Sequence, residues 1–195
     1  MIFILLGILV ILVVYFFATY NKFVSTKTRI KASVQEIGNQ LKRQANLIPN
    51  LVSSVKGYMK HEKQIFKDLT DARKAIMEVQ KSASPQKMID ASAQLQQALA
   101  PIRVVLESNP QLKAAGPTSN LMEELRDTAD KVMYSRRTLI DLTADYNIMV
   151  VTIPSNIVAS VFSFKQLPGL KMPEGVEGEL RVTKEEMKSP KINLE

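Results

Sequence analysis

Cysteine is absent from this 195-residue chain and histidine occurs once, at His61. No disulfide, thiolate zinc site or cysteine nucleophile is available, and a single histidine argues against a histidine-based metal site. The missing cysteines fit a reducing compartment. His61-Glu62 invites comparison with the helical zinc-protease motif, but that motif needs a second histidine and the chain has none. No Ser, Thr or Tyr is paired with a base in a recognisable catalytic arrangement, so the sequence carries no signature of an enzyme. No cofactor or small-molecule substrate is expected.

Charge is missing from one place above all, the stretch Ile2 to Ala18. At about 1.5 Å per residue, a helix from Met1 to Tyr20 is roughly 30 Å long, enough to cross a hydrocarbon core. Ile2, Leu5, Val10, Val14 and Phe17 are typical of its composition. Tyr15, Phe16, Phe17, Tyr20 and Phe23 gather at its carboxyl end, where amphipathic rings favour headgroups. A cleaved secretory signal is the rival reading, yet a basic leader and a small-x-small site near Ala18 are both missing. An uncleaved anchor over residues 1–19 is therefore expected. Lys22, Lys27, Arg29 and Lys31 follow at once and none precedes, which puts the amino terminus outside and the bulk of the chain in the cytoplasm. The same four residues suit contact with anionic lipid heads, about 1 kcal/mol each.

The net charge of +7 is unevenly placed. Tyr20 to Lys81 holds 13 basic and 5 acidic residues, whereas Ser82 to Glu195 holds 13 and 14. Basicity belongs to the membrane-proximal half. Lys42, Arg43, Lys56, Lys60, Lys63 and Lys67 could be read as a nucleic-acid surface, but aromatic interleaving is thin and no nucleic-acid motif is present. A lipid or acidic protein surface suits them better.

Beyond the apolar run the period is helical. Apolar residues fall at Phe23, Ile30, Val34, Ile37, Leu41 and Ile48. A sharper seam follows: Leu51, Val55, Tyr58, Glu62, Ile65, Leu69, Ala72, Ile76 and Val79, in alternating steps of four and three. That is the repeat of helices that wrap on neighbours. Ser82-Ala83-Ser84-Pro85 ends this helix and caps the next, whose seam is Met88, Ser92, Leu95, Leu99, Ile102 and Leu106, with Pro101 as a bend. After a loop around Ser108-Asn109-Pro110 and Gly116-Pro117, the last seam runs Leu121, Leu125, Thr128, Val132, Ser135, Leu139, Leu142, Tyr146, Met149 and Ile153. Pro154 kinks or ends that helix. Residues 20–165 then form one helical domain, and the Pro- and Gly-bearing stretch 166–195 reads as a mobile or loosely docked tail.

Pro49 divides two architectures. A reversal between Asn46 and Pro49 gives an all-α fold, an N-terminal transmembrane helix followed by an antiparallel four-helix bundle. Continuation through Pro49 gives three long helices, the first kinked there. The reversal is favoured because apolar stripes need partners.

The stretch Gln40 to Val52, with Lys42, Arg43, Asn46, Ile48, Pro49 and Asn50, resembles the LemA family of membrane-anchored bacterial and archaeal proteins. So do Tyr20-Asn21-Lys22-Phe23-Val24, Val55-Lys56-Gly57-Tyr58, His61-Glu62 and Ala72-Arg73. In the second half the likeness is carried by Asn109 to Ala114, Ser135-Arg136, Tyr146-Asn147, Pro154 and Phe162. Gln44 stands where the family usually has a second Arg, Asn46 where it has an Asp, Asp130 stands for a Glu, and a Tyr-Asn pair near Leu139-Ile140 is missing. The resemblance implies a helical bundle on a single anchor and no enzyme activity.

Glu62 falls on a seam, where an unpaired carboxylate costs several kcal/mol. A buried network with Arg73, Arg136 or Arg43 is one reading; local opening of the seam to solvent is the other. Glu123, Glu124, Asp127 and Asp130 suit a solvated face or the positive end of a helix more than a metal site. The family-type residues Tyr58, Glu62, Arg73, Arg136 and Asn147 join the Pro49 stretch as candidates for interaction. The expectation is a non-enzymatic interaction or scaffold protein on the membrane, with protein partners or self-association; the alternatives are lipid organisation or a regulatory subunit of a membrane protease.

Overall fold

The computed structural model describes residues 1–59, 63–82, 84–110 and 116–171. Regular structure among them is entirely helical: α1 (Ile2–Val55), α2 (Lys63–Ser82), α3 (Pro85–Ser108), α4 (Gly116–Val151) and the short α5 (Ser155–Val161). The apolar run and the first bundle helix are one rod. Its 54 residues extend roughly 80 Å at the standard helical rise. The first third stands clear of the protein, with Ile2, Leu5, Val10, Val14 and Phe17 all exposed.

The reversal expected near Pro49 does not occur there. α1 runs through Pro49 to Val55, and the chain first turns at residues 56–58, where the Tyr58 N–H donates to the Val55 carbonyl at 3.0 Å. Magnitudes explain the choice. A proline inside a helix costs about 3 kcal/mol. Beyond that point Leu51 and Val55 are fully buried, each contributing about 1.5–3 kcal/mol. Keeping the seam outweighs the proline. The four-helix bundle survives, with its first corner several residues later than expected.

Cross-helix contacts give the register. α4 lies antiparallel along α1, with the Tyr146 ring edge-on to Phe23 at 5.6 Å and Arg43 bonded to Glu124 at 2.7 Å. α2 returns along the distal half of α1, where Gln80 Nε2 donates to the Gly38 carbonyl at 3.3 Å. α3 packs on α2. The α2–α3 hairpin therefore stops near the level of Gly38 and leaves uncovered the half of the α1–α4 pair nearer the apolar run. Phe164, Leu167 and Leu170 fill that gap, together with α5.

The α1–α4 seam alternates apolar and small polar layers. On α1 the buried order is Thr19, Phe23, Thr26, Ile30, Ser33, Ile37, Leu41, Gln44, Ile48, Leu51, Val55. On α4 it includes Leu125, Thr128, Val132, Ser135 and Leu139. The expected α4 seam is reproduced up to Tyr146, whereas Ile153 and Tyr58 are exposed. Both sit where the helix has already ended, so the period no longer points them inward.

Candidate interaction surfaces

Pro49 has no N–H, so the carbonyl of Ala45, four residues earlier, loses its helical donor. Arg73 of α2 supplies one: its Nε donates to the Ala45 oxygen at 3.0 Å. Two family-type features thus form one structural unit. Ile48 is buried behind it, while Lys42, Asn46, Pro49 and Asn50 face outward. Pro101 needs no such partner, because Gln97, whose carbonyl it leaves free, is on the solvated face.

Arg73, Arg136 and Arg43 are the alternative partners considered for Glu62. Glu62 itself lies outside the described residues. Arg43 forks onto Glu124 through Nε (2.8 Å) and Nη2 (2.7 Å), and Arg73 holds Ala45. Arg136 lies near the level of Ser33, with which its neighbour Ser135 shares a surface groove. That is some twelve residues, about 18 Å, along α1 from Ala45. Its Nε is buried with no hydrogen-bond partner among the described residues. Tyr58 is exposed in the turn.

Gln44 is the residue that periodicity alone undervalues. It is completely buried on the seam, and neither its amide nitrogen nor its oxygen has a partner among the described residues. A buried amide left this way costs about 1–3 kcal/mol.

Asn147, one of the interaction candidates, holds the chain beyond α5. Its Nδ2 donates to the Leu167 carbonyl and its Oδ1 accepts the Leu167 N–H, both at 2.8 Å. Gln86 at the start of α3 does the same for Lys171, accepting its N–H at 2.8 Å and donating to its carbonyl at 3.4 Å. Two side-chain amides imitate strand pairing and pin residues 166–171, assigned above to the tail. The remaining tail, 172–195, lies outside the described residues.

α3 and α4 touch very little, and a groove of about 710 Å³ opens between them. Its lining includes the apolar Leu106, Met122 and Met133 and the charged Arg103, Arg126, Glu107, Glu123 and Asp130. Methionine side chains adapt to varied apolar partners. No group of three or more His, Asp or Glu able to hold a metal occurs among the described residues.

At the other end, α1 is the one helix among those described that is long and apolar enough to cross a membrane, and the apolar window is almost wholly unburied. Lys22, Lys27, Arg29 and Lys31 are exposed on the turns that follow.

No curated protein matches the chain. The model of the LemA family matches residues 33–183. That interval contains the Pro49–Ala45–Arg73 unit, the α3–α4 groove and the Asn147 clamp, and it covers well over half of the sequence. The chain belongs to the LemA family.

Proposed function

We propose that this protein is a non-enzymatic, membrane-anchored interaction module, held by the amino-terminal third of α1 and presenting the α3–α4 groove to an amphipathic helix of a partner protein. The observation that carries the reading is the groove: three sides of the bundle are closed by helix packing and the fourth is open, lined by methionines and by charges of both signs. A helix with an apolar stripe and charged flanks is the complementary shape. The exposed basic turns after the apolar run favour a bundle on the cytoplasmic side.

The test is photo-crosslinking in cells. A photoreactive residue at Met122 or Met133 is expected to capture a discrete protein, while one at the exposed Met77 of α2 is not. Equal capture at Met77, or none at Met122 and Met133, would refute the groove as the docking site.

Lipid organisation is the second reading, favoured by the exposed Lys22, Lys27, Arg29 and Lys31 beside the apolar run. Salt-sensitive binding to anionic vesicles, lost when these four are neutralised, would support it.

A further inference from the structure

Between Asp145 and Lys165 the chain carries no charged residue. This stretch comprises the last turn of α4, the break at Thr152–Pro154, α5 and the turn after it. Its inner side packs on α1: Tyr146 and Val158 are buried, and Phe164 stacks on Phe23 at 4.7 Å. Its outer side is apolar too. Ile148, Val151, Ile153, Ile157 and Val161 are 57–78% exposed, and no other part of the described chain covers them. A contiguous apolar patch of this kind marks a contact.

Its position says with what. The Phe162 ring lies 5.6 Å from Phe16 and 4.5 Å from Tyr20, alongside the end of the apolar run. Tyr146 and Phe164 both meet Phe23. Charge therefore begins at one level on all three passing segments: Lys22 on α1, Asp145 on α4 and Lys165 after α5. One plane through Phe23 separates the charged part of the molecule from a part without charge. Phe162 lies about 5–10 Å beyond that plane, the depth at which interfacial helices settle.

Pro154 leaves the Val150 carbonyl without a helical donor, and side-chain hydroxyls bond carbonyls on either side of it. Ile148 keeps its helical donor, the Thr152 N–H, at 3.0 Å and also accepts from the Thr152 hydroxyl at 2.6 Å, and Met149 accepts from the Ser155 hydroxyl at 2.8 Å. Thr152 accepts from the Ser155 hydroxyl at 2.9 Å and from the Asn156 N–H at 2.8 Å. After α5, the Phe164 N–H reaches the Ala159 carbonyl at 2.8 Å and the Ser163 N–H the Ser160 carbonyl at 3.2 Å. This is a Schellman closure with Ser163 in the left-handed position at φ 55°.

We infer that the α4–α5 corner, residues 148–162, is a second membrane contact: it lies in the headgroup–acyl boundary beside the anchor and does not span. Seven helical residues are far too few to cross. The inference rests on the anchor reading, and with it the bundle is fixed to the bilayer at two points. The rod can then neither swivel freely nor lift away.

Depth-dependent quenching tests it on the full chain in phosphatidylcholine–phosphatidylglycerol vesicles. The chain has no cysteine, so Ile157→Cys, Val161→Cys, Val10→Cys and Tyr134→Cys each take a single fluorophore. Labels at 157 and 161 are expected to be quenched several-fold more than the label at 134 by lipid carrying a nitroxide near the headgroup. The label at 134 should respond to aqueous iodide instead. If 157 and 161 respond to iodide as 134 does while 10 is quenched by lipid, the corner sits in water and the inference falls with the anchor intact. Labels at 157 and 161 shielded from both quenchers would mean that protein covers the corner, which also overturns it. If the label at 10 escapes quenching by lipid carrying its nitroxide deep in the acyl chain, the anchor reading itself fails.

Discussion

Arg73 stands in for the amide that Pro49 lacks, donating from α2 to the Ala45 carbonyl at 3.0 Å across a sequence separation of 28 residues. The bond lets α1 pass through a proline without an orphaned acceptor, and it ties the α2–α3 hairpin to the rod at a chosen height.

The pair predicts a thermodynamic coupling. Arg73→Met should destabilise the protein by about 1–3 kcal/mol, because a part-buried carbonyl loses its donor. In a Pro49→Ala background the Ala45 carbonyl regains a helical N–H, so the same change should cost at least about 1 kcal/mol less. Denaturant unfolding of the four variants in detergent measures the cycle. Additive effects would refute the substitution of donors.

By contrast, the Arg43–Glu124 fork has side chains 51% and 36% exposed. Arg43→Ala is expected to change stability by less than about 1 kcal/mol. A larger loss would mean that the pair matters to the packing of α1 on α4.

Gln44→Leu should raise stability by about 1 kcal/mol, since it replaces an unpaired buried amide with an apolar side chain of similar size. A fall in melting temperature would show that the amide is satisfied, by water or otherwise.

Asn147→Ala removes both bonds to Leu167. The segment 164–171 should lose amide protection at Leu167 and become cleavable at Lys165 and Lys171, while the α1–α4 pair stays folded. Hydrogen exchange and limited trypsin digestion report this directly. Protection unchanged at Leu167 would show that apolar packing alone holds the segment.

Burial raises the pKa of the Tyr146 hydroxyl above its ordinary value of 10.0. The neutral form is thus favoured in the folded state: its stabilising contribution is complete below the unfolded pKa and is lost as pH rises through the higher folded value. Tyr146→Phe should leave stability near pH 7 almost unchanged and flatten the decline above about pH 10. Identical alkaline profiles for the two proteins would exclude Tyr146 as the group responsible.

The helices, their inward faces and the apolar run were legible because each is a local, repeating pattern. Spacing of four and three marks the seam at Leu125, Val132 and Leu139 whatever lies opposite. The same spacing marked the polar seam residues Gln44, Thr128 and Ser135, all buried, but not Thr26 and Ser33, since hydropathy alone cannot tell a polar residue facing a partner helix from one facing water. Spacing also sent Ile153 inward, but the helix ends at Val151 and leaves it exposed.

By itself, then, the order of residues decided that this chain is helical, that its basic half begins where its apolar run stops, and that it would pack by seams. Tertiary structure alone decided where α1 ends, which donor serves Ala45 and how residues 166–171 are held. Those outcomes depend on partners 20 to 85 residues away. A local pattern cannot weigh the burial of Leu51 and Val55 against one proline; only the assembled bundle brings both terms into the same balance.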